Sequence, residues 1–346
     1  MNWKSAGKAA ACVMISLCLA GLLPERAGAW GRIGHRVISR IAVNHLTPKT
    51  KDEIGKLLLA DPDDREMCSQ QTSLDEKMAC IATWADVVRR DLQYACTASF
   101  HYVNIPIYAP PAQRRYDPRR DCPNGDCVVG AVDHYRAILS DTRKRAADRA
   151  LALKFIVHFI GDLHQPLHTA KDHDLDARNK ENHSKFRDNG DRGANLKLVT
   201  WLGETANQYG CWNLHAVWDD GIIEQMQADE AALTKALDGA LDPQKTAALQ
   251  RGTVVDWINE AFGLAISNAY HLPSRLENDK VCEVLSGDKR ECDRYGRETC
   301  GTSEVHYRYH LGKDYFDQNI AVVKAQLTSA SVRMARFLND IFDPAR

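Results

Sequence analysis

The stretch Val157-His158-Phe159-Ile160-Gly161-Asp162-Leu163-His164-Gln165-Pro166-Leu167-His168 decides how the rest of the sequence is read. It continues an apolar run (Leu151, Leu153, Phe155, Ile156) that reads as one helix from Ala146 to Leu163. Within it His158 and Asp162 stand four residues apart, which on a helix puts both side chains on one face about one turn apart. Pro166 lacks an amide hydrogen and ends or kinks the helix, so His168 falls just beyond it. Two imidazoles and a carboxylate in an apolar frame are costly to bury unless something binds them.

The same spacing recurs in Cys211-Trp212-Asn213-Leu214-His215-Ala216-Val217-Trp218-Asp219, where His215 and Asp219 form a second pair. Helical bundles build metal sites from such pairs on facing helices. An imidazole and carboxylate donor set suits zinc, and a hydrolytic site leaves one coordination position for water. Each residue also has a bland reading. His35 fits a hydrogen-bonded core histidine, Asp86 a helix-surface charge and His101 a loop hydrogen-bonder. Glu260 and Tyr270 fit core or surface. From composition and spacing alone, a polynuclear zinc site and a set of separate structural side chains both stay open.

Lys4 and Lys8 precede an apolar run from Ala9 to Leu23, and Ala27-Gly28-Ala29 has the small-x-small form of a cleavage site. Residues 1–29 therefore read as a signal peptide cut after Ala29, with export to the periplasm or exterior and Trp30 as the new N-terminus. The run is too short for a membrane span, and no other stretch is long and apolar enough. Taking Lys4, Lys8, Arg26 and Glu25 from 45 basic and 46 acidic residues leaves 42 against 45. A chain near −3 has no global basic surface, so a nucleic-acid partner must be attracted locally, for instance by metal ions. Nine cysteines remain after the cut and read as disulfides in an exported protein. Cys122 and Cys127 bracket the turn Pro-Asn-Gly-Asp and predict a local bridge; none of the nine forms a Cys-x-x-Cys zinc pair.

Most of the mature chain predicts helix: 34–46, then 49–59 opened by a Thr47 cap and Pro48. Ser73 and Glu76 predict a capping box for a helix running through Met78, Ile81, Trp84 and Val88. Further helices are expected at 128–139, 214–226, 230–237, 243–268 and 312–342. Residues 100–105 read as extended, 110–126 as a surface loop, and 196–202 as a strand of a small hairpin. The polar stretch 171–192 and the cysteine-bearing stretch 273–302 read as insertions. No repeat or linker divides the chain, which predicts one α-helical domain over 30–346.

Several motifs occur in one order: Trp30-Gly31-Arg32-Ile33-Gly34-His35, Trp84-Ala85-Asp86, Phe100-His101-Tyr102-Val103-Asn104-Ile105-Pro106, the opening stretch, and Asn213-Leu214-His215-Ala216-Val217-Trp218-Asp219. Together they resemble the zinc-dependent single-strand-specific nucleases, within the phospholipase C/nuclease superfamily. The resemblance runs from Trp30 to Trp257. It implies an all-α fold of that type with a few short strands and three zinc ions in a cleft. By position, Asp86, His101, His158 and Asp162 would hold the first ion, and His168, His215 and Asp219 the second. His35, Asp162 and the α-amine and carbonyl oxygen of Trp30 would hold the third, with Asp162 shared.

The implied reaction is endonucleolytic hydrolysis of single-stranded DNA and RNA to 5′-phosphate products, with 3′-nucleotidase activity. A hydroxide between two zincs is the nucleophile. Asp86 and Asp162 become catalytic through the ions they hold, Asp162 as the shared ligand, and Arg89 matches a family arginine that stabilises transition-state charge. Read alone, Arg89 is a surface ion pair. Tyr102 and Asn104 take the positions where relatives stack and hydrogen-bond a base. Fungal members carry an acidic residue at the position of Asn104, Gly193-Ala194-Asn195 replaces Gly-Gly-Asn, and the tyrosines of a second nucleotide site find no counterpart. His164 matches no ligand and is expected behind the ligands or on the surface. The expected protein is a monomer without stable membrane association. A zinc phospholipase C and a non-catalytic zinc-binding protein are the competing expectations; the short Trp30-to-His35 spacing and Tyr102/Asn104 favour the nuclease. Asn182-His183-Ser184 is a sequon if the host glycosylates.

Overall fold

In the computed structural model the described residues are 30–345 apart from 64–67, 90, 174–189, 205, 208–209, 274–279, 282, 287–288, 293–305 and 308. The expected leader, most of the polar excursion and much of the 273–302 stretch lie outside them. The chain is mainly helical, in agreement with its apolar periodicity. Helices α1 (Arg32–Asn44), α2 (Pro48–Leu59), α3 (Leu74–Ile81) and α4 (Trp84–Val88) come first. A short α5 (Pro118–Asp121) precedes the hairpin of α6 (Val128–Ser140) and α7 (Ala146–Asp162). Then follow α8 (Leu214–Ala216), a π turn (Val217–Gly221), α9 (Ile222–Gln225), α10 (Glu230–Asp238), α11 (Pro243–Leu249) and α12 (Val254–Leu264). The 30-residue α13 (Lys313–Phe342) ends the fold.

The core is built around α7. Every residue from Ala152 to Asp162 is buried, as befits a helix that is apolar all round. Helices α1, α2, α3, α4, α6 and α13 pack against it. Trp84 meets Phe155 and Tyr94 edge-on with both ring centroids 5.3 Å away, and Tyr135 stacks on Phe155 at 4.4 Å. These aromatic contacts fix α4, and with it Asp86, against α7.

Local rules explain many boundaries. The Thr47 hydroxyl accepts from Thr50 N at 3.2 Å with Pro48 in the first turn of α2. Cys122 and Cys127 are bridged as the turn sequence predicts, and Cys68 is bridged to Cys80. Other expectations need correction. The helix drawn from Ser73 through Val88 breaks at Ala82–Thr83, where the Thr83 hydroxyl bonds to the Cys80 carbonyl and His158 takes the Ala82 carbonyl. Its capping box is half formed: Ser73 accepts from Glu76 N, but the Glu76 carboxylate accepts from Thr72 instead. The 243–268 helix is two, because Thr253 and Asp256 form a full capping box that starts α12 afresh after Gly252 at φ +89. His101 ends a 3-10 turn (Ala95–His101) rather than lying in an extended segment. The 110–126 loop contains α5. Val199–Trp201 pairs in parallel with Tyr309–Leu311, across more than a hundred residues, in addition to local antiparallel bridges from Leu198 to Asn213 and from Trp201 to Glu204. Ile105–Pro106 likewise pairs in parallel with Ala170–Lys171.

Lys154, one helical turn before His158, is 0% exposed. Its ammonium bonds to Asp61 Oδ1 at 2.9 Å and Asp63 O at 2.8 Å and lies 3.8 Å from the Trp84 ring centroid. Removing one partner of a buried pair leaves the other charge uncompensated. Lys154→Ala is therefore expected to cost about 3–5 kcal/mol in urea unfolding, with Lys154→Met, which keeps the volume, costing less. Equal loss from both variants would show that the charge, and not packing, is what Lys154 contributes.

Candidate metal centre

Asp162, at the end of α7, is wholly buried and faces three imidazoles. Its Oδ1 lies 3.2 Å from His35 Nε2, and its Oδ2 lies 3.0 Å from His101 Nδ1 and 3.3 Å from His158 Nε2. Asp86 Oδ1 is 3.6 Å from both His101 Nδ1 and His158 Nε2. The His35 and His158 rings stack at 4.1 Å. His35 reaches this position only because residue 161 is glycine: a Cβ there would meet His35 Nδ1 at 2.7 Å. Three elements thus converge, with α1 bringing His35, α4 Asp86 and α7 His158 and Asp162, while the turn before strand 105–106 adds His101.

A second group lies past the helix end. His168 Nε2 and His215 Nε2 are 3.0 Å apart, and Asp219 Oδ2 is 3.3 Å from His215 Nε2. The π turn that carries Asp219 adds a residue to the helical turn, a distortion common at functional sites. Trp30 is fully buried at the start of the chain, and the Gly31 amide donates to the Asp219 carbonyl at 2.8 Å.

The far side of three rings reveals their tautomers. His158 Nδ1 donates to the Ala82 carbonyl at 2.7 Å, His168 Nδ1 to the His101 carbonyl at 2.7 Å, and His215 Nδ1 to the Gly193 carbonyl at 2.6 Å. With the proton on Nδ1, the neutral form of each ring turns an Nε2 lone pair into the cluster. The Nε2 atoms of His168 and His215 lie 3.0 Å apart; in the neutral forms their lone pairs oppose each other, an arrangement that repels unless a proton or a metal ion sits between them. Backbone carbonyls orienting imidazoles in this way are the usual outer support of metal ligands.

Charge follows the same logic. Burial opposes ionisation of Asp162, yet His158 foremost, with His101 and His35, holds its pKa well below the usual carboxylate range. Burial also disfavours the His158 cation, but Asp162 and Asp86 outweigh it and push the ring up to about 9. Burial pushes His101 down to about 4. Asp219 is driven well above its ordinary value by burial and by the neighbouring Asp220, so its anionic form requires a positive charge nearby. Buried atoms without a hydrogen-bond partner among the described residues include both His35 ring nitrogens, His101 Nε2, Asp86 Oδ1 and Asp162 Oδ1. Three subsets have ligand atoms within 4.8 Å of one another: His35, Asp86 and His158; His101, His158 and Asp162; His168, His215 and Asp219.

Every expected ligand side chain therefore reaches one of two adjoining clusters. Arg89 Nη1 lies 3.3 Å from Asp86 Oδ1. Tyr102 and Asn104 alternate with the buried His101, Val103 and Ile105, which puts them on the open side of that segment. His164 is buried, not on the surface: its Nδ1 donates to the Ile160 carbonyl at 2.7 Å and its Nε2 meets Arg333 at 3.0 Å, away from the clusters. Sequence reading assigned no role to Gln165, whose amide donates to Asp219 Oδ1 at 2.6 Å. Its place inside the opening stretch was the available signal. The Ala82, His101 and Gly193 carbonyls carry no side-chain signal at all.

Residues 30–343 match the S1/P1 nuclease family. The chain belongs to that family. It is 27% identical to Endonuclease 3 of Arabidopsis thaliana over 343 residues, 96% of both chains. Nuclease P1 of Penicillium citrinum is 24% identical over 320 residues, 90% of this chain and 97% of that one. Nuclease S1 of Aspergillus oryzae shares 30% identity over 196 residues, 57% of this chain and 55% of its own. The S1/P1 family match, residues 30–343, spans both clusters.

Alanine is normally favoured over glycine inside a helix by about 1 kcal/mol. Gly161→Ala is nevertheless expected to lower metal content per chain by displacing His35, with the far-ultraviolet circular dichroism of α7 retained. Undiminished metal by elemental analysis would mean that His35 is no ligand.

Proposed function

We propose that this protein is an exported, trinuclear-zinc endonuclease. Its substrates would be single-stranded DNA and RNA, cut to 5′-phosphate ends, and 3′-nucleotides, from which it removes phosphate. The observation that carries the reading is the pair of buried, mutually facing imidazole nitrogens of His168 and His215 beside Asp219, in a chain of the S1/P1 nuclease family. The first ion would be held by Asp86, His101, His158 and Asp162, and the second by His168, His215 and Asp219. The third would be held by His35, Asp162 and the amine and carbonyl oxygen of Trp30. The split of Asp162, with Oδ1 toward His35 and Oδ2 toward His101 and His158, supports its sharing between two ions. When bound, zinc supplies Lewis acidity and water acidified to near neutrality.

The chain's own groups bind and orient. Asp86 holds the Arg89 guanidinium at 3.3 Å, keeping a fixed positive charge beside the cluster where negative charge gathers on phosphorus. Tyr102 offers a ring for base stacking, worth about 1–3 kcal/mol, and Asn104 hydrogen-bonds the base edge. An amide donates as well as accepts, so base preference is broader than an acidic residue would allow. A flexible single strand enters such a cluster more easily than a duplex. The leader pattern of residues 1–29 supports export, and the α-amine of Trp30 would exist only after cleavage.

The test is turnover of denatured DNA, RNA, duplex DNA, a 3′-nucleotide and phosphatidylcholine by the mature protein, with zinc counted. Single strands and the 3′-nucleotide should be hydrolysed, and chelation should abolish both activities. Turnover of the lipid alone would replace the nuclease reading with a phospholipase. Asp162→Asn should reduce activity by more than the ~100-fold typical of an outer-shell partner, and near-normal turnover would remove Asp162 from the shared role. One extra residue before Trp30 should likewise cripple the enzyme and lower its zinc content. Full activity with a full zinc complement would exclude the α-amine as ligand.

A further inference from the structure

The Gly193 carbonyl that orients His215 belongs to a strained loop. Gly190, Arg192, Gly193 and Ala194 have φ of +55, +57, +62 and +67, in the left-handed region that residues other than glycine rarely occupy. A Cβ on Gly193 would meet the Leu167 carbonyl oxygen at 2.5 Å, so the loop is pressed against the 3-10 turn that carries His168. Such a backbone persists only where its surroundings over-determine it.

Asp191 is what over-determines it. The residue is 1% exposed although it is a carboxylate. The Tyr270 hydroxyl donates to both of its oxygens, at 3.1 and 3.0 Å, and the Asp172 amide donates to Oδ1 at 2.9 Å. Lys197 Nζ stands 3.7 Å from Oδ2 and 3.0 Å from Asp172 Oδ2. The backbone of Asp191 is tied as well: its amide donates to the Asp172 carbonyl at 3.0 Å and its carbonyl accepts from Leu196 N at 3.2 Å. Lys197 closes the circuit, since its carbonyl accepts from the amide of Leu214, next to His215, at 2.9 Å. None of these side chains touches the ligand atoms.

We infer that Asp191, clasped by Tyr270, Asp172 and Lys197, is a positioning residue that locks residues 190–194 so that the Gly193 carbonyl sets the tautomer and aim of the ligand His215. The inference rests on the zinc reading above and adds to it a support shell behind the Gly193 carbonyl. Loss of the clasp lets the left-handed residues relax, turns the Gly193 carbonyl away and leaves His215 free to rotate. The expected consequence is selective: the ion held by His168, His215 and Asp219 weakens, and the other cluster keeps its metal.

The experiment measures zinc per chain and competitive zinc affinity against a chromogenic chelator for the mature protein, alongside the melting temperature of the metal-free form. Asp191→Ala is expected to lose one ion first, with affinity at that site down by about 10–100-fold, as for other outer-shell partners. Asp191→Asn, which still accepts from the Asp172 amide, should recover part of it. Tyr270→Phe removes one hydroxyl and should weaken the same site by about threefold to tenfold, the worth of one hydrogen bond; it serves if Asp191→Ala does not fold. Leu139→Ala, a core truncation in α6, gives the zinc loss that destabilisation alone produces. Wild-type affinity in Asp191→Ala or Tyr270→Phe, while His215→Ala loses an ion, would overturn the clasp and leave the zinc reading intact. Zinc loss in Leu139→Ala matching that of the clasp variants would overturn it too. A wild-type protein that binds no zinc would overturn the reading itself, and the clasp with it.

Discussion

A carboxylate with no solvent contact, set among imidazoles at the end of the most buried helix, is the constraint on which the molecule depends. Asp162 is tolerable there only because positive charge is close by. The surrounding architecture serves that need. α7 is apolar on every side, so it can be enclosed by six helices and still present His158 and Asp162 at one end. Gly161 opens the space into which α1 inserts His35. The break between α3 and α4 exposes the Ala82 carbonyl that His158 requires.

A common device runs through the site. His158, His168 and His215 are each aimed by a carbonyl from a place where regular structure stops: a helix break, the end of a 3-10 turn and a left-handed loop. Regular helices spend their carbonyls internally, and only termini and turns have one to spare. The irregular backbone around the clusters is therefore part of how ligands are aimed.

That device explains what sequence reading could and could not deliver. α2 was legible through Thr47 and Pro48, α7 and α13 through apolar periodicity, and the ligand pairs through four-residue spacing, because these signals are local. The break at Ala82–Thr83, the restart at Thr253 and the 3-10 path into His101 were misread, because the deciding partner was elsewhere or a second cap competed. The parallel pairing of Val199–Trp201 with Tyr309–Leu311 has no local signature. Residue types singled out the clustered histidines and aspartates, whereas the contacts of Gln165 and Asp191 arise only in the fold.

The first and last helices among the described residues, α1 and α13, pack against each other, and the parallel strand pair joins residues 199–201 to the segment just before α13. Closure of this kind means high contact order, with loop entropy spent before the long-range contacts can repay it. His35 reaches Asp162 from α1, so the site depends on a helix whose packing partner is synthesised last. A chain delivered N-terminus first holds His35 throughout, yet lacks the helix on which α1 packs until residues 313–342 arrive.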